Sequence, residues 1–120
     1  MNRILEEVIS GTPPSKSNGY KIITFNGHAS LAKSKALKDY EKLFFIQCKN
    51  RNADIEGYFE FEMKAFLPSQ RQDLDGLFKV VLDSLQVCKV IRNDNKCVKI
   101  TAEKFLDKAN PRVELKIIEL

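Results

Sequence analysis

Hydrophobic and polar positions alternate most cleanly from Tyr58 to Leu67, where Phe59, Phe61, Met63, Ala65 and Leu67 fall on one side and Glu60, Glu62 and Lys64 on the other. A period of two sends successive side chains to opposite faces of an extended chain, so this segment predicts a strand with one buried face. Pro68 and Ser69 end it. From near Asp73 the period changes: Leu74, Leu77, Phe78, Val81, Leu82 and Leu85 form one apolar stripe at helical spacing. A similar pattern, Ala36, Leu37, Tyr40, Leu43 and Phe44, predicts an amphipathic helix from Ser30 to about Gln47 with Lys35, Lys38 and Lys42 on its outer face.

Shorter signals fill in the rest. Ile22 to Phe25 reads as a strand closed by Asn26-Gly27, the pair that best supplies positive φ in a tight hairpin. Gly11-Thr12-Pro13-Pro14-Ser15 through Asn18-Gly19 is an exposed loop, because its prolines forbid helix. Val98 and Ile100 suggest a strand, and Val113, Leu115 and Ile117 mark one face of a last strand, Arg112 to Leu120. Ile4 to Ile9 fits one helical turn as well as a strand. The sum is an α+β fold, a small mixed and mostly antiparallel sheet with two helices packed on it.

The length of 120 residues, 43% hydrophobic and 30% charged, predicts a single domain over residues 1–120. A domain of this size builds one core and no second lobe to close over a large substrate, so such a substrate meets an open face or is shared with a second copy. The longest apolar run, Leu43 to Ile46, is far short of the roughly 20 residues that span a bilayer, and no apolar signal region follows Met1. The expectation is a soluble, cytoplasmic protein with no membrane partner. Cys48, Cys88 and Cys97 lack Cys-x-x-Cys spacing and read as partly buried thiols. His28, the one histidine, follows the Asn-Gly turn and reads as a surface residue.

The net charge of +4 is mild, but its distribution is uneven. From Gly11 to Asn52 eight bases face only Asp39 and Glu41, and from Leu85 to Lys99 four bases face only Asp94. Basic clusters on an otherwise balanced chain fit either a solvated surface or a polyanionic partner, since Lys and Arg on phosphates release counterions. Candidate contacts are Lys16, Lys21, Lys35, Lys38 and Lys42 in the first stretch, Lys96 in the second, and Arg71 ahead of the second helix.

Candidate chemistry lies in Asp73-Leu74-Asp75-Gly76-Leu77-Phe78-Lys79, followed by Asp83. Two carboxylates about 4 Å apart repel by roughly 4 kcal/mol at the effective dielectric of a protein surface. A helix N-terminus returns only about 0.3 to 1 kcal/mol to each. A hard divalent cation would settle the difference, because Mg²⁺ binds one or two carboxylates together with waters and substrate phosphate. Spacing also allows plainer roles: an N-cap for one aspartate, an i,i+4 ion-pair ladder for Asp75, Lys79 and Asp83, and an ordinary turn for Asn93-Asp94-Asn95.

Asp73-Leu74-Asp75-Gly76-Leu77-x-Lys79-x-x-x-Asp83-x-Leu85, with Asp94 at the end of the following connection, resembles the RusA family of Holliday junction resolvases, common in prophages. The resemblance extends to Pro13-Pro14-Ser15 with Asn18 downstream and to Pro111-Arg112-Val113-Glu114-Leu115. It implies a homodimeric endodeoxyribonuclease of DNA recombination and repair that acts on branched DNA such as a four-way junction. It implies further that Asp73, Asp75 and Asp94 hold catalytic Mg²⁺, with Mn²⁺ able to substitute, that Lys79 is the essential basic residue beside them, and that no small-molecule cofactor is needed. Gly76 stands where members often carry Asn, and Asn93 where many have a second acid. Nucleases for forks or flaps, and a catalytically inactive DNA-binding module, are the alternatives on the same fold.

Overall fold

A computed structural model describes residues 2–120, the side chains of Lys16 and Ser17 excepted. The chain runs β1 (Ile4–Ser10), a short turn of helix α1 (Lys16–Gly19), β2 (Tyr20–Phe25), β3 (His28–Lys33), α2 (Lys35–Gln47), β4 (Phe59–Leu67), α3 (Leu74–Val87), a 3-10 turn (Asp94–Lys96), β5 (Cys97–Leu106) and β6 (Arg112–Glu119). Four strands form one sheet in the order β1-β6-β4-β5, and β2 and β3 form a separate hairpin. Among the described strands only the β4–β5 pair is parallel, because α3 carries the chain back along the sheet between them. The two long helices and the mostly antiparallel mixed sheet give the expected α+β fold.

The alternation in β4 survives intact. Phe59, Phe61, Met63, Ala65 and Leu67 are all buried, and they meet Val113, Leu115 and Ile117 of β6 on the same face. Against that face α2 packs Leu37, Tyr40 and Phe44, and α3 packs Leu77, Val80, Val81 and Leu85. Replacing one such side chain, Phe61 by Ala, removes about 3–5 kcal/mol through lost transfer energy and a cavity. The other face is a charged lattice. Glu6 and Glu62 flank Lys116, and Glu114 and Glu103 flank Lys64, so opposite charges sit across neighbouring strands.

Two segments differ from the expectation. The stretch 11–19, expected as an exposed loop, carries the helical turn Lys16–Gly19 and buries Pro13 and Gly19. Residues 30–33 belong to β3 rather than to the helix, since they pair with β2 in register from Tyr20↔Lys33 to Phe25↔His28. The helix starts after Ser34, whose hydroxyl accepts the Leu37 N–H at 3.2 Å, a side-chain cap that helical periodicity alone does not locate. The hairpin turn uses Asn26 at φ 51° and Gly27 at φ 78°, and His28 lies exposed beside it. The ambiguous N-terminal segment is a strand, paired from Ile4↔Ile118 to Ser10↔Arg112.

Side chains lock β1 to α2. Gln47 exchanges two hydrogen bonds with the Ser10 backbone at 2.8 and 3.1 Å. Glu7 is only 2% exposed, yet its carboxylate accepts the N–H groups of Lys49 at 2.9 Å and Asn50 at 2.8 Å, and the Asn50 side-chain amide at 2.6 Å. Those donors satisfy a buried charge without a cation. No helix among the described residues is long and apolar enough to cross a membrane.

Candidate active site

Asp73 occupies the cap position of α3 with extended backbone, φ −83° and ψ 143°, but its side chain makes no cap hydrogen bond. The capping role that spacing allowed is therefore not taken up. Asp75 follows in the first turn and is exposed. Neither carboxylate has a hydrogen-bond or ion-pair partner among the described residues, and both border a groove of about 720 Å³. The opposite wall is Ser15, Asn18, Tyr20, Ile22 and Leu31, supplied by the Pro-Pro-Ser loop and the hairpin.

The approach to α3 is held from two sides. Gln72 donates through Nε2 to the Pro13 carbonyl at 2.8 Å, and the Lys104 ammonium on β5 donates to the Gln72 carbonyl at 2.9 Å. The Pro-Pro-Ser loop is thereby tied to the segment that delivers the aspartates.

One turn further along α3, Lys79 turns away from Asp75. Its ammonium donates to Asp83 Oδ1 at 3.0 Å and reaches Asp94 Oδ2 at 3.4 Å. The i,i+4 ladder is thus half made: among the described residues Lys79 pairs with Asp83, and no ion pair joins it to Asp75. The Tyr20 hydroxyl donates to the other oxygen of Asp83. The Asp83 hydrogen bond, more than any other influence, raises the Lys79 ammonium above the ordinary lysine value. Burial first, and then the bond to Asp83, pushes the Tyr20 hydroxyl up. Asp94 opens the 3-10 turn, with its N–H donating to Gln86 Oε1 of α3 at 3.0 Å, so the Asn-Asp-Asn segment is anchored to the helix.

The proposed site residues thus fall into two groups: Asp73 with Asp75 at the groove and the start of α3, and Lys79 of α3 with Asp94 of the 3-10 turn, joined by Asp83. Among the described residues no three or more of Asp, Glu, His and Cys are placed to hold one metal ion. Asp73 and Asp75 do fit a hard cation in kind. They offer oxygen donors without competing partners beside open space, which suits Mg²⁺ completing its shell with water and phosphate.

The basic residues are dispersed. Arg71 lines the carboxylate groove and Lys21 is exposed on the hairpin. Lys38 and Lys42 border a different, largely apolar hollow with Phe45, Ile46 and Val87, and α2 contributes nothing to the wall of the carboxylate groove. Lys35 pairs with Asp39 at 3.0 Å, and Lys96 lies 4.9 Å from the centre of the Tyr58 ring. The side chain of Lys16 lies outside the described residues. Periodicity missed Tyr20, whose partner Asp83 is 63 residues away, and the only hint was its place at the end of the Pro-Pro-Ser loop.

The family model described as endodeoxyribonuclease RusA matches residues 11–118, nearly the whole chain. A search of curated proteins finds no match.

Proposed function

The chain belongs to the RusA family of endodeoxyribonucleases, and from that premise we propose that it is a Mg²⁺-dependent resolvase that cuts four-way DNA junctions by phosphodiester hydrolysis. The observation that carries this reading is the pair of carboxylates, Asp73 and Asp75, without partners among the described residues and lining a groove of about 720 Å³. Asp73 and Asp75 would hold Mg²⁺, or Mn²⁺ as a substitute, and Asp94 would join them only by turning from Lys79; the cation would supply activation of water for in-line attack and neutralisation of the leaving oxygen. Asp73 and Asp75 bind and orient from the start of α3. Lys79 presents an ammonium, fixed by Asp83, to the charge that grows on the transferring phosphoryl oxygens. Arg71, on the groove wall, and Lys21, exposed on the hairpin, meet phosphates and position the duplex arms without reading sequence.

A junction has approximate two-fold symmetry, and its resolution takes paired cuts in strands of like polarity. A homodimer of this one domain supplies both cuts with a single repeated surface. The setting is cytoplasmic recombination and repair of prophage-type DNA.

The test is cleavage of a synthetic four-way junction, set beside fork, flap and linear duplex, by wild type and by Asp75→Asn in Mg²⁺. The wild type is expected to cut the junction in preference and the variant to bind it without cutting. Binding without cleavage of any substrate by wild type, in Mg²⁺ or Mn²⁺, would leave only the inactive DNA-binding module. Preference for forks or flaps would move the activity to those structures.

A further inference from the structure

We propose that Tyr20 and Asp83 are positioning residues that act through Lys79, a role that rests on the nuclease reading above. The two oxygens of Asp83 are divided between two donors: Oδ2 takes the Tyr20 hydroxyl and Oδ1 takes the Lys79 ammonium at 3.0 Å. A carboxylate with both oxygens committed to protein donors is an anchor and not a spare metal ligand. The second contact of Lys79, to Asp94, is longer at 3.4 Å. Lys79 is therefore held firmly on its Asp83 side and loosely on its Asp94 side, where the proposed chemistry needs Asp94 free to turn to a cation.

The anchor draws on three elements. Asp83 and Lys79 lie on α3 and Asp94 on the 3-10 turn that follows it, while Tyr20 is the first residue of β2. Tyr20 also lines the carboxylate groove, next in line to Ile22 and opposite Asp73 and Asp75. The hairpin packs lightly on the body: Ile22 is 75% and Leu31 66% exposed, whereas Tyr20 at its base is half-buried. Nucleic acid lying in the groove touches the hairpin wall, and the residue at the root of that wall fixes the carboxylate that orients Lys79. Removing the Tyr20 hydroxyl leaves the ring and its packing in place and lets the Asp83 carboxylate rotate. The ammonium then loses its direction while keeping its charge.

Tyr20→Phe and Asp83→Asn test this in single-turnover junction cleavage, with junction affinity measured separately in Ca²⁺. The expected losses of cleavage rate are about tenfold for Tyr20→Phe and about a hundredfold for Asp83→Asn, the scale on which a misplaced catalytic group costs rate. Affinity should stay within about twofold, and the double variant should be no slower than Asp83→Asn alone, because residues acting as one unit are not additive. In the Lys79→Ala background, Tyr20→Phe should have no further effect. A readout independent of cleavage is the Lys79 ammonium resonance in ¹H–¹⁵N spectra, expected to be slow-exchanging in wild type, weakened in Tyr20→Phe and lost in Asp83→Asn. A Tyr20→Phe enzyme that cuts at the wild-type rate overturns the proposal. So do losses additive with Asp83→Asn, a parallel loss of affinity, or an unchanged Lys79 resonance. If wild type itself cuts no DNA while the resonance responds as described, the nuclease reading fails and the Tyr20–Asp83–Lys79 unit stands.

Discussion

Lys79 and Asp94, fifteen residues apart in the chain, meet at 3.4 Å across the gap between α3 and the 3-10 turn before β5. If Asp94 joins the proposed metal site, the Lys79 ammonium and the cation compete for its carboxylate. Replacing Lys79 should therefore do two things. Lys79→Ala should lose about a thousandfold in cleavage as its charge stabilisation disappears. It should also bind Mn²⁺ several-fold more tightly than wild type in an electron paramagnetic resonance titration without DNA. Weaker Mn²⁺ binding would mean that Lys79 and the metal do not compete for Asp94.

Asp73 separates capping from catalysis. An N-cap Asp that bonds the helix backbone loses about 1 kcal/mol on replacement by Ala, but the Asp73 side chain makes no such bond and has Asp75 nearby. Asp73→Ala should leave urea stability within about 0.5 kcal/mol of wild type while removing cleavage. A stability loss of the full cap size would return Asp73 to a structural role.

Glu7 ties β1 to the segment that follows α2. Glu7→Ala strands the Lys49 and Asn50 N–H groups and the Asn50 amide, and unmet buried donors cost about 1–3 kcal/mol each. A net loss of about 3 kcal/mol in urea unfolding is expected, with Glu7→Gln intermediate because it keeps one acceptor oxygen.

Tyr40 runs the other way. Its hydroxyl is buried without a hydrogen-bond partner among the described residues, and burial raises its titration well above the ordinary tyrosine value. Tyr40→Phe removes that desolvated group and keeps the ring against Phe44, whose centre lies 6.1 Å away. The variant should be more stable by up to about 1 kcal/mol, read as a higher urea midpoint at unchanged slope.

Arg71 and the lysines of α2 lie on different surfaces, so their effects on DNA binding should differ. Every phosphate that the protein ceases to neutralise lowers the salt slope of binding by about 0.9 for duplex DNA. Lys38→Glu with Lys42→Glu should weaken junction binding and flatten its salt dependence only if the junction wraps beyond the carboxylate groove onto α2. Arg71→Ala should flatten it in either case. Unchanged binding in the double lysine variant would confine the DNA to the groove side.

Much of the fold was legible because it is local. A period of two in Phe59 to Leu67 and a stripe from Leu74 to Leu85 need only their own backbone geometry to be read, and Asn26-Gly27 names its own turn. The limits of β3 and α2 were less legible, since Ser30 to Lys33 is apolar enough to extend a helical pattern and becomes strand only because β2 lies beside it.

What the chain determined by itself is a set of residue types at spacings: two aspartates around one leucine at a helix start, a lysine one turn on, and an aspartate beyond the helix. Backbone periodicity places the first three on or beside one helix and goes no further. Only the tertiary structure decided that Lys79 faces Asp83 and Asp94 instead of Asp75, that Asp73 keeps its carboxylate free of the helix backbone, and that the basic face of α2 borders another hollow. For Lys79 the physical reason is proximity in space. An ionic side chain settles where charge and hydrogen-bond partners are nearest in space, and here Tyr20 comes from 63 residues away and Asp94 from 15, distances that no local pattern encodes.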